Sequence, residues 1–113
     1  MGAETFEAKG VQLLHIREVT EADLESLQVS FKFHHLDYDD IRAESPISKV
    51  DAYKHYVFLV FHVPKVNELT GYVYGEELYV FLGDKSLVTI THRPIPALDA
   101  FMSHLRKSSK FRS

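Results

Sequence analysis

The stretch Tyr56-Val57-Phe58-Leu59-Val60-Phe61 is a continuous run of β-branched, aliphatic and aromatic residues. Because apolar and polar residues do not alternate in it, the run predicts a central strand that is covered on both faces. It is far too short to cross a bilayer, which takes about 20 predominantly apolar residues. The stretch therefore predicts the interior of a sheet in a globular domain, and Pro64 is expected to end the strand.

Further strands are predicted on both sides of this run. Glu77–Leu82 and Ser86–His92 flank the glycine-bearing turn Gly83-Asp84-Lys85, which is typical of a hairpin. Val11–Val19 alternates loosely and predicts a first strand, whereas Asn67–Gly75 carries two glycines and is interpreted as a connection or an irregular edge.

Three helices complete the pattern. Thr20 stands three residues before Asp23, a weak capping box that predicts a helix start, and a second short helix is expected over residues 34–41, before Pro46. A third helix has apolar residues at i, i+3, i+4 and i+7, which are expected to face the sheet: Leu98, Phe101, Met102 and Leu105. The predicted fold class is α/β, a mixed β-sheet with helices packed on it; the alternative is a ferredoxin-like α+β sandwich.

Composition limits the functions that the chain can have. With 113 residues there is room for one domain, predicted over 11–107 after a tail of residues 1–10. A formal net charge of −3 argues against nucleic-acid binding, and the absence of cysteine excludes disulfides and thiolate metal sites. There is no secretory signal and no motif of a nucleophile elbow, a phosphate-binding loop or a zinc protease, so an enzyme is not predicted.

Two groups of residues could bind metal. The seven histidines are scattered, and the adjacent pair His34-His35 would point about 100° apart on a helix, so packing roles are favoured over a zinc site. An acidic cluster is more concentrated, and carboxylates are the ligands that Mg²⁺ and Ca²⁺ prefer. The spacing of the cluster matches no EF-hand loop, and the competing interpretation is that these residues form a solvated helix face. The members of the cluster are Asp37, Asp39, Asp40, Glu44 and Asp51.

Three stretches in series resemble the CorA family of magnesium and cobalt channels. The first is a strand and a helix, Leu14–Ser30, followed by residues 33–40, Phe-His-His-Leu-Asp-Tyr-Asp-Asp. The others are Lys49–Val60, similar to the family's Lys-Val and Tyr-led strand, and Leu78–His92, similar to its hairpin. The sequence departs from the family pattern at His35 and Ser48, where the family usually has proline.

The resemblance implies the N-terminal cytosolic domain of a pentameric divalent-cation channel, with an α/β/α sandwich fold and no enzymatic activity. It implies that cytosolic Mg²⁺ is sensed at carboxylates between subunits, with Asp40 as the main metal ligand and Asp39 as its neighbour, and that Mg²⁺ binds the isolated domain weakly. Residues 108–113 would begin the stalk, and the parent would lie at the cytoplasmic face of the membrane, crossing it through C-terminal helices absent from this soluble piece. The alternative is a stand-alone soluble α/β binding module unrelated to transport.

Overall fold

A computed structural model describes residues 3–44 and 47–112, and these form one mixed sheet of six strands with three helices. The strand order is β1-β2-β6-β5-β4-β3; β2 and β6 are parallel, and the other neighbours are antiparallel. The predicted mixed α/β sheet is confirmed. The elements in chain order are β1 (Ala3–Ala8), β2 (Val11–Ile16), α1 (Glu21–Ser30), α2 (His35–Ala43), β3 (Lys49–Ala52), β4 (Tyr56–Val66), β5 (Val73–Gly83), β6 (Ser86–Thr91) and α3 (Pro96–Arg112).

The helices lie on both faces of the sheet. On one face, buried residues of α1 and α2 form a single apolar cluster with alternate residues of β2, β4, β5 and β6. α3 lies on the opposite face. The two neighbours of His15 in β2 belong to the apolar cluster or pack against it, so the His15 side chain points to the other face of the sheet. There it forms a hydrogen bond with Asp99 of α3 over 3.1 Å. Because a ferredoxin-like sandwich keeps its helices on one face, the structure favours the three-layer α/β arrangement.

The central strand is interior, as the apolar run predicts, but it is longer than expected. β4 pairs with β3 on one side and with β5 on the other. The expected strand end at Pro64 is wrong, since β4 continues to Val66 and Pro64 pairs with Gly75 of β5. β3 pairs only with Val57–Val60 of β4, so Pro64 lies beyond the end of β3. The N–H that proline lacks therefore removes no hydrogen bond between β4 and β3.

The first ten residues contain a strand where the sequence predicts only a tail. Ala3–Ala8 pairs with β2 from Ala3↔Ile16 to Ala8↔Val11. The connecting residues Lys9 and Gly10 both have positive φ, 51° and 82°, as a tight hairpin turn requires. Lysine seldom adopts this conformation, so the turn gives no recognisable sequence signal.

The helix signals are largely confirmed. Thr20 Oγ1 accepts from the Asp23 N–H over 3.2 Å, and Asp23 Oδ2 accepts from the Thr20 N–H over 2.9 Å, which completes the capping box. α2 ends at Ala43, with Glu44 in the left-handed conformation; Pro46, expected to break this helix, lies outside the described residues.

α3 is docked less completely than its periodicity predicts. Met102 is 3% exposed, and Leu98 and Leu105 are half-buried. The expectation that Phe101 faces the sheet is wrong, since its side chain is 55% exposed. None of the helices described over residues 3–44 and 47–112 has the length and apolarity that a bilayer crossing needs.

A candidate divalent-cation site between α2 and β3

Three aspartates converge where α2 crosses the edge of the sheet. Asp37 and Asp40 are three residues apart on α2 and therefore share one face of the helix. Asp51 belongs to β3 and pairs with Phe58 of β4. The Phe58 side chain lies on the face of the sheet that α2 covers, so the Asp51 side chain lies on that face too. One carboxylate oxygen from each of the three lies within 4.8 Å of the other two.

A lysine ammonium already neutralises part of this cluster. Lys49 precedes Asp51 by two residues, so both side chains lie on the same face of β3. Lys49 Nζ contacts the Asp40 carboxylate directly and lies 3.1 Å from Asp51 Oδ2. The hydrogen bond to Asp40, more than any other contact, raises the pKa of Lys49 above its usual range. The cluster thus holds a permanent monovalent cation of its own.

Asp37 is the buried member of the cluster. Its Oδ1 accepts from the Tyr53 hydroxyl over 2.8 Å, and its Oδ2 accepts from the Tyr56 hydroxyl over 2.7 Å. Burial raises the pKa of Asp37, and the two tyrosine hydrogen bonds oppose this increase. Burial, aided by the Asp37 contact, also raises the pKa of Tyr53 to about 12, so this hydroxyl remains a donor at neutral pH. Asp37 therefore anchors α2 to the start of β4.

Asp40 and Asp51 are the accessible members. Their side chains are 28% and 39% exposed, and apart from the contacts with Lys49 neither has a protein partner among the described residues. These two carboxylates can take a solvated cation without opening the core.

Asp39, predicted together with Asp40, lies elsewhere on α2. Its side chain is 60% exposed and contacts Arg42 over 3.4 Å, and Arg42 in turn bonds Glu21 of α1 at 3.0 Å. Glu44, another member of the predicted acidic cluster, pairs with Arg93 over 3.2 Å. Of the predicted pair Asp39 and Asp40, the structure brings only Asp40 into the convergent group.

In the part of the chain that the structure describes, the histidines do not assemble into a ligand set. His62 lies on β4, His92 follows β6, and β5 separates the two strands. His92 Nε2 instead donates to the Ile41 carbonyl over 2.6 Å, and His62 Nδ1 pairs with the Ser48 hydroxyl over 2.7 Å. Within residues 3–44 and 47–112, the three aspartates are the only convergent group of potential metal ligands.

A known family matches nearly the whole chain. A family described as CorA-like Mg²⁺ transporter protein matches residues 8–113. The chain belongs to the CorA-like Mg²⁺ transporter family. The family's members are transporters of magnesium rather than enzymes. No curated protein matches the chain.

The donor set fits the cation that the CorA-like family transports. Mg²⁺ takes oxygen ligands, keeps several of its waters and is usually held by one or two carboxylates. Asp40 and Asp51 provide two accessible carboxylates, while both oxygens of Asp37 accept from tyrosines. The Lys49 ammonium opposes Mg²⁺ binding, because it already contacts Asp40 and Asp51 and a divalent ion would have to displace it.

Asp37 gives the domain a measurable pH dependence. A carboxyl group whose pKa is raised by folding stabilises the protein fully below its unfolded pKa, near 3.8, and this contribution is lost as the pH rises through the folded pKa. The free energy of unfolding of the wild type, measured relative to Asp37→Asn, should therefore fall as the pH increases from below 3.8. Urea titrations of both proteins at several pH values measure this difference. If the difference in the free energy of unfolding is constant, or grows with pH, burial does not raise the pKa of Asp37.

Proposed function

We propose that this chain is the N-terminal regulatory domain of a CorA-like channel and that Mg²⁺ regulates transport by binding at Asp40 and Asp51. The observation that carries the proposal is the convergence of these accessible carboxylates beside buried Asp37, in a chain of a magnesium-transporter family. Asp39, exposed on a different side of α2, is proposed as an accessory ligand for an ion that a neighbouring subunit shares.

The regulation follows from differential binding. A Mg²⁺ ion that keeps most of its waters and takes one or two carboxylates from this domain has coordination positions left for a second subunit. If the channel is a homopentamer, an ion that bridges subunits only in the closed arrangement stabilises that arrangement. Transport would then be inhibited when Mg²⁺ in the cytosol is high. In this proposal residues 108–113 lead into the stalk, and the parent crosses the membrane through helices beyond Ser113.

The full-length channel with Asp40→Lys tests the proposal. Lysine places a second ammonium beside Lys49, so we expect transport to become less sensitive to cytosolic Mg²⁺ and Mg²⁺-dependent protection from proteolysis to be lost. Glu25→Lys is the matched control, because Glu25 is exposed on α1 and forms no ion pair among the described residues.

Asp37→Asn is not suitable as a control, since Asp37 is buried and holds two tyrosines.

If Asp40→Lys leaves both Mg²⁺ inhibition and protection at the wild-type level, the acidic cluster is only a solvated edge. The stand-alone binding module would then be the better description of this domain.

A further inference from the structure

A groove separate from the carboxylate cluster lies at one end of the sheet. It has a volume of about 420 Å³ and runs between the segment after α1, the β3–β4 turn and the β5–β6 turn. Small-molecule sites commonly measure about 300–1,000 Å³ and combine an apolar lining with a few polar groups. The groove therefore has the size of a small-ligand site.

Aromatic rings form much of its lining. Phe31 and Phe33 are stacked with their centroids 5.0 Å apart and their planes at 4°, and Phe33 lies 4.8 Å from Tyr56. Tyr53 stacks on Tyr56 at 4.6 Å. All four side chains are only partly buried. Phe33 is stacked between Phe31 and Phe81, and Tyr53 stacks on both Tyr56 and His34, whereas Phe31 has a ring partner on one face only among the described residues. The outer face of Phe31 therefore remains for a ligand. Exposed aromatic surfaces of this kind stack planar rings such as nucleobases.

Two exposed lysines give the same groove positive charge. Lys32 and Lys54 line it and are exposed, and neither pairs with a carboxylate among residues 3–44 and 47–112. In a chain with a formal charge of −3, two unpaired lysines at one aromatic groove favour an anionic ligand.

His34 supplies a further donor at the groove. Its Nδ1 accepts from the Leu36 N–H over 3.1 Å, which places the proton of the neutral ring on Nε2. One acid, Asp84, also lines the groove and opposes an anion there.

We propose that this groove binds a planar aromatic ligand carrying phosphate, that is, a nucleotide. The base stacks on the outer face of the Phe31 ring, and the phosphates lie toward Lys32 and Lys54, which supply charge-assisted hydrogen bonds. The proposal does not depend on cation binding at Asp40. The two sites are connected through Tyr53 and Tyr56, whose rings line the groove and whose hydroxyls bond Asp37. They are also connected through His34, whose carbonyl accepts from the Asp37 N–H over 3.0 Å.

Titration of the ¹⁵N-labelled chain with ADP tests the assignment, in a buffer with EDTA so that the result is independent of Mg²⁺. We expect saturable amide shifts confined to residues 31–34, 53–56 and 83–86. Adenosine and inorganic phosphate, titrated separately, should each bind more weakly than ADP, because each lacks half of the contacts. Absence of localised shifts with ADP at millimolar concentration would overturn the proposal, as would phosphate binding as tightly as ADP.

Variants that change the charge of the groove test whether it determines the affinity for ADP. Lys54→Gln should weaken ADP binding about threefold to tenfold, since a charge-assisted hydrogen bond at a partly solvated site is lost. Asp84→Asn should strengthen it, and Lys107→Gln, an exposed lysine of α3 outside the groove, should leave it unchanged. Equal affinity of all three variants and the wild type for ADP would show that the lysines do not receive the phosphate.

Discussion

Replacing Lys49 by methionine is expected to raise the Mg²⁺ affinity of the domain by about tenfold or more, because it removes a positive charge in contact with two of the three carboxylates. Methionine keeps much of the apolar stem but removes the cation–π contact between the Lys49 ammonium and the Phe58 ring, whose centroid is 5.9 Å away. Without Mg²⁺ the variant should be less stable than the wild type, since Asp40 and Asp51 lose their shared partner. Added Mg²⁺ should restore stability through binding to the folded state.

Thermal unfolding at increasing Mg²⁺ measures both effects of the Lys49 substitution. Lys54→Met is the matched control: Lys54 is exposed and has no ion pair among the described residues, so its removal should leave the response to Mg²⁺ near the wild-type level. If Lys49→Met and Lys54→Met respond to Mg²⁺ alike, the Lys49 ammonium does not occupy a cation site.

The largest loss of stability is expected from Phe81→Ala. Phe81 is fully buried at the centre of the core. Its ring stacks on Phe33 at 3.9 Å between centroids and lies 4.8 Å from Phe58. Truncating a buried phenylalanine removes its transfer free energy and leaves a cavity, at a cost of about 3–5 kcal/mol.

Leu82→Ala is the control for Phe81→Ala. Leu82 is the next residue of β5, points to the other face and is 47% exposed, so its truncation should cost about 1 kcal/mol. Urea unfolding of the two variants compares these costs. Similar losses for the two would contradict the assignment of sheet faces.

Local chemistry explains why much of the fold could be predicted. The apolar run at Tyr56–Phe61 specifies an interior strand because its residues leave no polar face for solvent. The capping box at Thr20 and Asp23 is equally local, since both hydrogen bonds form within four residues. The glycine turn at Gly83 predicts the β5–β6 hairpin in the same way.

The errors arise where the environment of a residue decides its conformation. Pro64 is accepted in β4 because β3 stops short of it, and the length of β3 is a property of the whole sheet. The strand Ala3–Ala8 depends on pairing with β2 across a Lys9-Gly10 turn that carries little signal. Phe101 fits the helical period of α3 but lies at the margin of its packed face.

The candidate site could be predicted only in part. The spacing of Asp37 and Asp40 places both on one face of α2 and sets them apart from Asp39, and this signal is available in the sequence. The local sequence does not predict that Asp51 and Lys49 lie close to α2, because this depends on how β3 pairs with β4 beneath that helix. The two tyrosines that hold Asp37 belong to the same long-range contact.

A Mg²⁺ titration of the ¹⁵N-labelled 113-residue chain followed by NMR, alongside Asp40→Asn, tests the central claim most directly. Because the proposal leaves coordination positions of the ion for a second subunit, we expect the single chain to bind weakly and saturably, at about millimolar. The largest amide shifts should fall on residues 37–42 and 49–51, and they should be strongly reduced in Asp40→Asn. Shifts that are spread evenly over the acidic surface, or that persist in Asp40→Asn, would contradict the assignment of a cation site to this cluster.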